Sequence, residues 1–588
     1  MDVLCDLAAH PREVRRREDL LDSVWGAGTF VSEEVLSRAI SELRRLLEDS
    51  AQAPRMIETI RGRGYRLIAE VGPETAAETQ QHRASHGWLR FAVLASLLVA
   101  AAAGWLWWNS RPTSEPGTNP VVALAVLPID DLSEGRVESH FGFGVTEALT
   151  AQLARSAPFR VISRTSAMRF RDTDLRVPEI AKQLGADVLV EGSVLREDDH
   201  LSLTLQLIDG QTDHHLWAET YEAEIGDVLS LYQEAARAIG RQLKSAKAFS
   251  GASATTVSAE AYDAYSRGRY LWQQGTRDSL TQSVEAFREA LDADASYAQA
   301  YAGLADSYIL MGIYEMLSPD AAYTEARRWT LEALTLDPGL GEAHTALGAI
   351  RLFHEWDFER AEASFLRALE LNPNHPIAYL GYHDLLAILN RQDEALAAIE
   401  QAVRIDPLNP ILVKVLADSI HYVGRTGEAL ETFDKLIAIH PRFLPAYSHQ
   451  ARLWLETGEP NEARGVIARA EEVFSAPVGQ SEAFASVQAN LGELGPAHRA
   501  LVAMDESTDF VSPGRRIRIH IALGDFDSAF EWLHLDVDSR GKDALWCASS
   551  GFCEPLATDS RMEALLARVN LKPPARVDTG DAPAGGKE

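Results

Sequence analysis

The chain has 588 residues and a formal net charge of −30. The length suggests three or four domains, and the charge excludes a general affinity for nucleic acid, so any DNA binding must come from a local patch. Three cysteines, Cys5, Cys547 and Cys553, exclude a disulfide scaffold and a zinc cluster; Cys547 and Cys553 stand close in WCASSGFC, where one bridge and two unpaired thiols are equally open.

MDVLCDLAAH spaces Val3, Leu4 and Leu7 as a helix does and ends at Pro11. VRRREDLLDSVWG predicts a second short helix, stopped by Gly26. VSEEVLSRAISELRRLLED predicts the most informative one. Ser32 is its N-cap, and Glu33 and Glu34 lie in the first turn, where the helix dipole favours them. Leu36, Ile40, Leu43 and Leu47 form one apolar stripe, and the opposite side carries Arg38, Ser41 and Arg45, flanked by Ser37 and Arg44. Such a face can enter a major groove, since arginine binds guanine edges or phosphates and serine binds either. Two β-type runs, MIETI and YRLIA, then flank RGRG, with Arg61, Arg63 and Arg66 clustered at the tip. A basic hairpin after a helix pair predicts a winged helix-turn-helix.

The order LLDSVWG, VSEEVLSRAISELRRLL, IETIRGRGYRL resembles the OmpR/PhoB-type winged-helix domain, in the branch of CadC- and ToxR-like membrane-bound transcriptional regulators, over nearly all of residues 1–71. The resemblance implies that residues 31–49 are the recognition helix. It also implies that Ser37, Arg38, Ser41 and Arg45 face promoter DNA and that Arg63 and Tyr65 belong to the wing, with Tyr65 packed under it; the basic face and the hairpin tip add Arg44, Arg61 and Arg66 as candidate DNA contacts. One departure stands out. Family members begin with a small β-sheet, whereas here Met1 already lies in the first helix, so either the true start lies upstream or the domain is N-terminally truncated.

Residues 72–87 are a polar tether. Residues 88–108, WLRFAVLASLLVAAAAGWLWW, carry no charged side chain from Phe91 to Trp108 and have tryptophans at both ends. They predict one transmembrane helix. Arginines and histidines before it weakly place the N-terminus in the cytoplasm and the C-terminal region in the periplasm, a single-pass inner-membrane topology. Residues 109–119 form a second linker.

Residues 120–247 predict the order βαβαββ and a closing helix, with Gly185 near a helix C-cap. The blocks VLPI, GVTEALTAQLAR, GADVLVEGSV and LIDGQTDHHLWAE resemble the TolB N-terminal-like α/β domain. Asp130, Asp131, Asp209, His214 and His215 are candidate metal or acid–base groups, but adjacent strand residues point to opposite faces, so the two histidines do not converge on one ion. FGFGV lacks the GK[ST] ending of a phosphate loop.

Across 260–570 a period of 34 relates Ala361, Ala395, Ala429 and Ala463, and likewise Pro373, Pro407 and Pro441. This predicts an all-α tetratricopeptide (TPR) superhelix whose groove binds a protein or peptide partner. His344, Tyr379, Tyr382, Tyr447 and His449 belong to its first helices. The tail 573–588 reads as disordered. No catalytic constellation, metal site or cofactor is expected. The whole predicts a membrane-anchored one-component transcriptional regulator under a periplasmic sensor region, acting as a possible homodimer. The competing expectation is a membrane-tethered TPR scaffold whose truncated winged helix has lost its function.

Overall fold

Apolar side chains at helical and alternating spacing can leave water only where elements pack. In a computed structural model the chain divides into two compact units, Met1–Ser114 and Glu115–Glu588. The structure describes residues 2–10, 13–17, 19–20, 23, 40, 43–44, 49, 54–60 and 63–69 of the first. Of the second it describes 123–133, 140–156, 159–197, 199–243, 257–507, 510–548 and 551–572.

In the first unit, helix α1 (Asp2–Ala9) precedes a three-stranded sheet of β1 (Arg15–Arg16), β2 (Ile57–Ile60) and β3 (Gly64–Leu67) in the order β1-β3-β2. Val3 and Leu7 from α1 meet Leu20, Ile40, Leu43, Ile57, Tyr65 and Leu67 in one core. The predicted stripe of residues 31–49 is described at Ile40 and Leu43, both buried; Leu36 and Leu47 lie outside the described residues. One prediction needs changing. Residues 15 and 16 are a strand rather than helix, because they pair antiparallel with Tyr65 and Gly64. That pairing also explains a glycine. Gly64 has φ +153°, and a Cβ there would overlap the Arg15 carbonyl, so this glycine serves the docking of β1 as well as the hairpin. Gly64→Ala should therefore cost about 3 kcal/mol of stability; chemical denaturation of the full chain checks this, and an unchanged transition contradicts the docking.

The predicted membrane span, residues 88–108, lies outside the described residues, as do the linkers 72–87 and 109–119 and the tail 573–588. Among the described residues no helix is long and apolar enough to cross a membrane. A span needs about 20 consecutive apolar residues. The helix Pro319–Leu336 has 18 residues but carries Asp320, Glu325, Arg327, Arg328 and Glu332. The one-transmembrane-helix fold class and the inner-membrane, cytoplasm-to-periplasm location are corrected accordingly. What the structure carries is a winged-helix unit, an α/β domain and a helical repeat array.

The second unit opens with the α/β domain. Its strands are β4 (Ala123–Val126), β5 (Asp130–Asp131), β6 (Arg160–Val161), β7 (Val188–Glu197), β8 (His200–Asp209) and β9 (His215–Glu224). The sheet order is β6-β4-β7-β8-β9, with β5 also on β7. β4 runs parallel to β6 and β7, while β7, β8 and β9 form an antiparallel meander. Helices α2 (His140–Ser156), α3 (Arg164–Ala167), α4 (Val177–Leu184) and α5 (Val228–Gln242) complete it. Gly185 caps α4 in the left-handed conformation, as its position predicts.

Helical pairs then run from Ala259–Gln274 to Phe526–Asp538. The 34-residue period becomes geometry here: Ala361, Ala395, Ala429 and Ala463 are fully buried where paired helices approach. Two contacts were not predicted. Late residues 517–571 share a core with residues 305–388 of earlier pairs. Lys542 Nζ donates to the Ile313 carbonyl at 2.6 Å, and the Arg540 guanidinium stacks 4.2 Å from the Trp356 ring. Cys547 and Cys553 are joined within this closing segment.

The α/β domain is also clasped to the loops between pairs. Asn374 accepts from the Val161 amide at 3.1 Å and donates to the carbonyls of Ala154 at 3.0 Å and Phe159 at 3.3 Å. The Ser163 amide donates to the Ile405 carbonyl at 2.7 Å, and Ser166 Oγ to Asp406 at 2.6 Å. Leu408 enters the apolar cluster of Ile162, Phe170, Ile180 and Leu184. Beneath, Glu147 binds Arg164 at 3.0 Å and Arg269 at 2.7 Å, and Arg269 reaches Asp306 at 3.6 Å. Burial pushes Glu147 up, but the charges of Arg269 and Arg164 outweigh it and hold the carboxyl below its ordinary value. Burial lifts Asp306 to about 7 against the pull of Arg269. Asn374→Ala removes three hydrogen bonds and strands a buried amide, so it should destabilise the unit by about 3 kcal/mol. Calorimetry would contradict the clasp if the variant melted like the wild type.

Candidate nucleic-acid interface

The wing is a hairpin in tight register, with Ile57 opposite Leu67, Glu58 opposite Arg66, Thr59 opposite Tyr65 and Ile60 opposite Gly64. Its turn is closed by the Arg63 amide donating to the Ile60 carbonyl at 3.0 Å. Arg63 is exposed at the tip, where a cation can approach a phosphate without losing hydration elsewhere.

The other predicted arginines divide sharply. Arg66 forms an ion pair with Glu58 across the hairpin at 2.5 Å, so its charge is already balanced. Arg44 reaches back to the wing, donating to the Ile57 carbonyl and to Thr59 Oγ1, each at 2.8 Å. It joins the predicted recognition helix to β2, a positioning role rather than a free cation. Asp49 makes a second joint, accepting from the Arg55 amide at 2.6 Å and the Ile57 amide at 2.8 Å. Ser37, Arg38, Ser41, Arg45 and Arg61 lie outside the described residues. Tyr65 is 4% exposed in the core beneath the wing.

Sequence reasoning missed two residues. Arg15 binds Asp6 through both of its reaching nitrogens, at 2.8 and 3.2 Å, which anchors β1 to α1. Burial pushes Asp6 up, but hydrogen bonds from Arg15 and Ser23 prevail and its carboxyl is lowered. Arg16 is exposed on β1 opposite Gly64, one strand from the wing turn. The run of three arginines at 15–17 was the available signal, but its charge reads equally well as a solvated helix face.

The family model described as "Transcriptional regulatory protein, C terminal" matches residues 1–67. Residues 1–67 are a transcriptional-regulator domain. The "TolB amino-terminal domain" model matches residues 115–216. The cholera toxin transcriptional activator of Vibrio cholerae serotype O1 is 40% identical over 85 residues, 14% of this chain and 29% of that protein. The transcriptional activator CadC of Escherichia coli (strain K12) is 39% identical over 72 residues, 12% of this chain and 14% of that protein. A Rhizobium meliloti (strain 1021) protein named as a putative adenylate cyclase is 30% identical over 187 residues, 31% of this chain and 32% of that protein. The chain thus spans about a third or less of the length of these curated relatives. Among solved structures, a thermophilic TPR protein of Thermus thermophilus is similar at 20% identity and a TM-score of 0.29, over 33% of this chain and 99% of that one.

The other sequence candidates resolve into structure. Asp209 accepts from the Gln211 and Thr212 amides and holds the β8–β9 turn. Among the described residues no three His, Cys, Asp or Glu side chains are grouped to hold a metal. In FGFGV, a Cβ on Gly142 would meet the Ile129 carbonyl at 2.7 Å, and one on Gly144 would strike Ser266, so these glycines serve close packing. In the array, Asp418 is a hub for Lys414 at 3.2 Å, His449 at 2.9 Å and Arg452 at 3.2 Å. Burial lowers His449 to about 4 despite the pull of Asp418. Tyr382 bonds Glu362, and His344 bonds the Pro338 carbonyl. Tyr447 is core, 1% exposed.

Arg44→Ala should weaken DNA binding through misplacement of the helix and lower stability by about 1–2 kcal/mol. Because Arg44 is engaged inside the domain, the slope of log affinity against log salt should stay unchanged. Fluorescence titration at several salt concentrations checks this; a slope reduced by about one would make Arg44 a phosphate contact.

Proposed function

We propose that the chain is a transcription regulator in which the winged helix of the first unit binds promoter DNA and the helical array of the second receives a protein or peptide partner. The observation that carries this reading is the hairpin wing tied to Arg44 and Asp49 by their hydrogen bonds, within the segment matched by the transcriptional-regulator model. Ser37, Arg38, Ser41 and Arg45 read the groove, and Arg61 and Arg63 hold the backbone beside the wing. Partner binding changes how two copies present their heads to paired half-sites, and joining two heads raises their effective concentration on DNA. We assign the chain no catalytic role; the regulator domain and the repeat architecture support that.

A second reading is a protein-interaction scaffold without DNA binding. Arg44 and Arg66 favour it, since both are engaged within the domain, and so does the net charge of −30. Genome-wide binding or footprinting separates the two. The wild type should protect discrete promoter sites, and Arg38→Ala combined with Arg45→Ala should lose occupancy by about tenfold or more, since each base or phosphate contact is worth about 1–3 kcal/mol. Equal occupancy overturns the recognition-helix assignment, and no sites with the wild type favours the scaffold.

A further inference from the structure

β9 closes one side of the second sheet. Along its ten residues it pairs with β8 on one edge, and among the described residues no strand pairs with the other. Alternate backbone amides and carbonyls therefore point away from the sheet, in position for a further strand. Proteins commonly blunt such edges by shortness, proline or a bulge. β9 carries no proline, and its register irregularity lies at one end, where it faces Leu207 and Ile208. Seven of its ten residues are exposed, so the described elements leave it open.

Charge selects the occupant. Glu219, Glu222 and Glu224 are exposed, and the strand has no lysine or arginine. Self-pairing with a second copy brings Glu219 near its own copy in either central register and gives Glu222 and Glu224 no cation: centred on Glu219 it opposes Glu219 to itself, and centred on Thr220 it sets the Glu219 pair on a diagonal. Glu222 and Glu224 share the face of Thr220, whose hydroxyl lies 3.0 Å from that of Thr204 on β8. A strand with basic residues at alternate positions places its cations opposite both.

We propose that β9 is a docking edge for an extended basic segment of a partner protein, which joins the sheet as a further strand with lysine or arginine opposite Glu222 and Glu224. Main-chain hydrogen bonds supply the affinity and the alternating charges the selectivity. This holds whether or not the first unit binds DNA. The test uses the full chain and fluorescent acetyl-Val-Lys-Val-Lys-Val-Lys-amide, beside a peptide of equal charge with proline in place of each valine. The valine peptide should bind saturably and about tenfold more tightly than the proline one. Glu222→Lys with Glu224→Lys should lose it and instead bind the peptide with glutamate in place of lysine. Equal binding of the two lysine peptides means ionic attraction alone and overturns the proposal, as does absent binding or indifference to the charge reversal.

Discussion

A pair of helices from the repeat region has an apolar face that it cannot bury alone, and everything in the second unit follows from how that face is covered. Within the array each pair covers its neighbour, with the buried Ala361, Ala395, Ala429 and Ala463 setting the close approach. The earlier pairs need more. They are covered by the late residues 517–571 and by the α/β domain, whose Phe141 and Tyr232 share one core with Tyr262 of the first repeat helix.

That coverage changes what a partner can reach. The loops around Asn374 and Asp406 already hold the chain's own segment 159–166, strand β6 and the start of α3. The polar network of Lys414, Asp418, His449 and Arg452 lies on the first helices of later pairs, with side chains 14–31% exposed. The ion network of Glu147, Arg164 and Arg269 sits at the α/β seam. Buried pairs of this kind add little net stability, while removing one partner leaves an uncompensated charge.

Much of the fold was legible in the sequence because it rests on periodicity. The 34-residue spacing, the alternation of LSLTLQLID and the apolar run ALAV each became the expected element. What escaped was long-range. Nothing local marks Arg15–Arg16 as a strand, since its partner lies some fifty residues away at Tyr65. The clasp of Asn374 on Val161 spans 213 residues, and no pattern in either segment announces it. The same limit applied to the site. An arginine-rich face is visible in the sequence, but its division into an exposed Arg63, a paired Arg66 and a structural Arg44 depends on Glu58 and Thr59 across the hairpin. The apolar run at 88–108 shows the converse, a strong local pattern whose predicted span finds no counterpart among the described helices.

The α/β domain and the array form one body through the clasp at residues 159–166. Native-state hydrogen exchange of the Val161 and Ser163 amides tests it most directly. Both should exchange only with global unfolding of the second unit, as slowly as the amides of β7 and β8. Exchange at the rate of an open loop, while those strands stay protected, would contradict it.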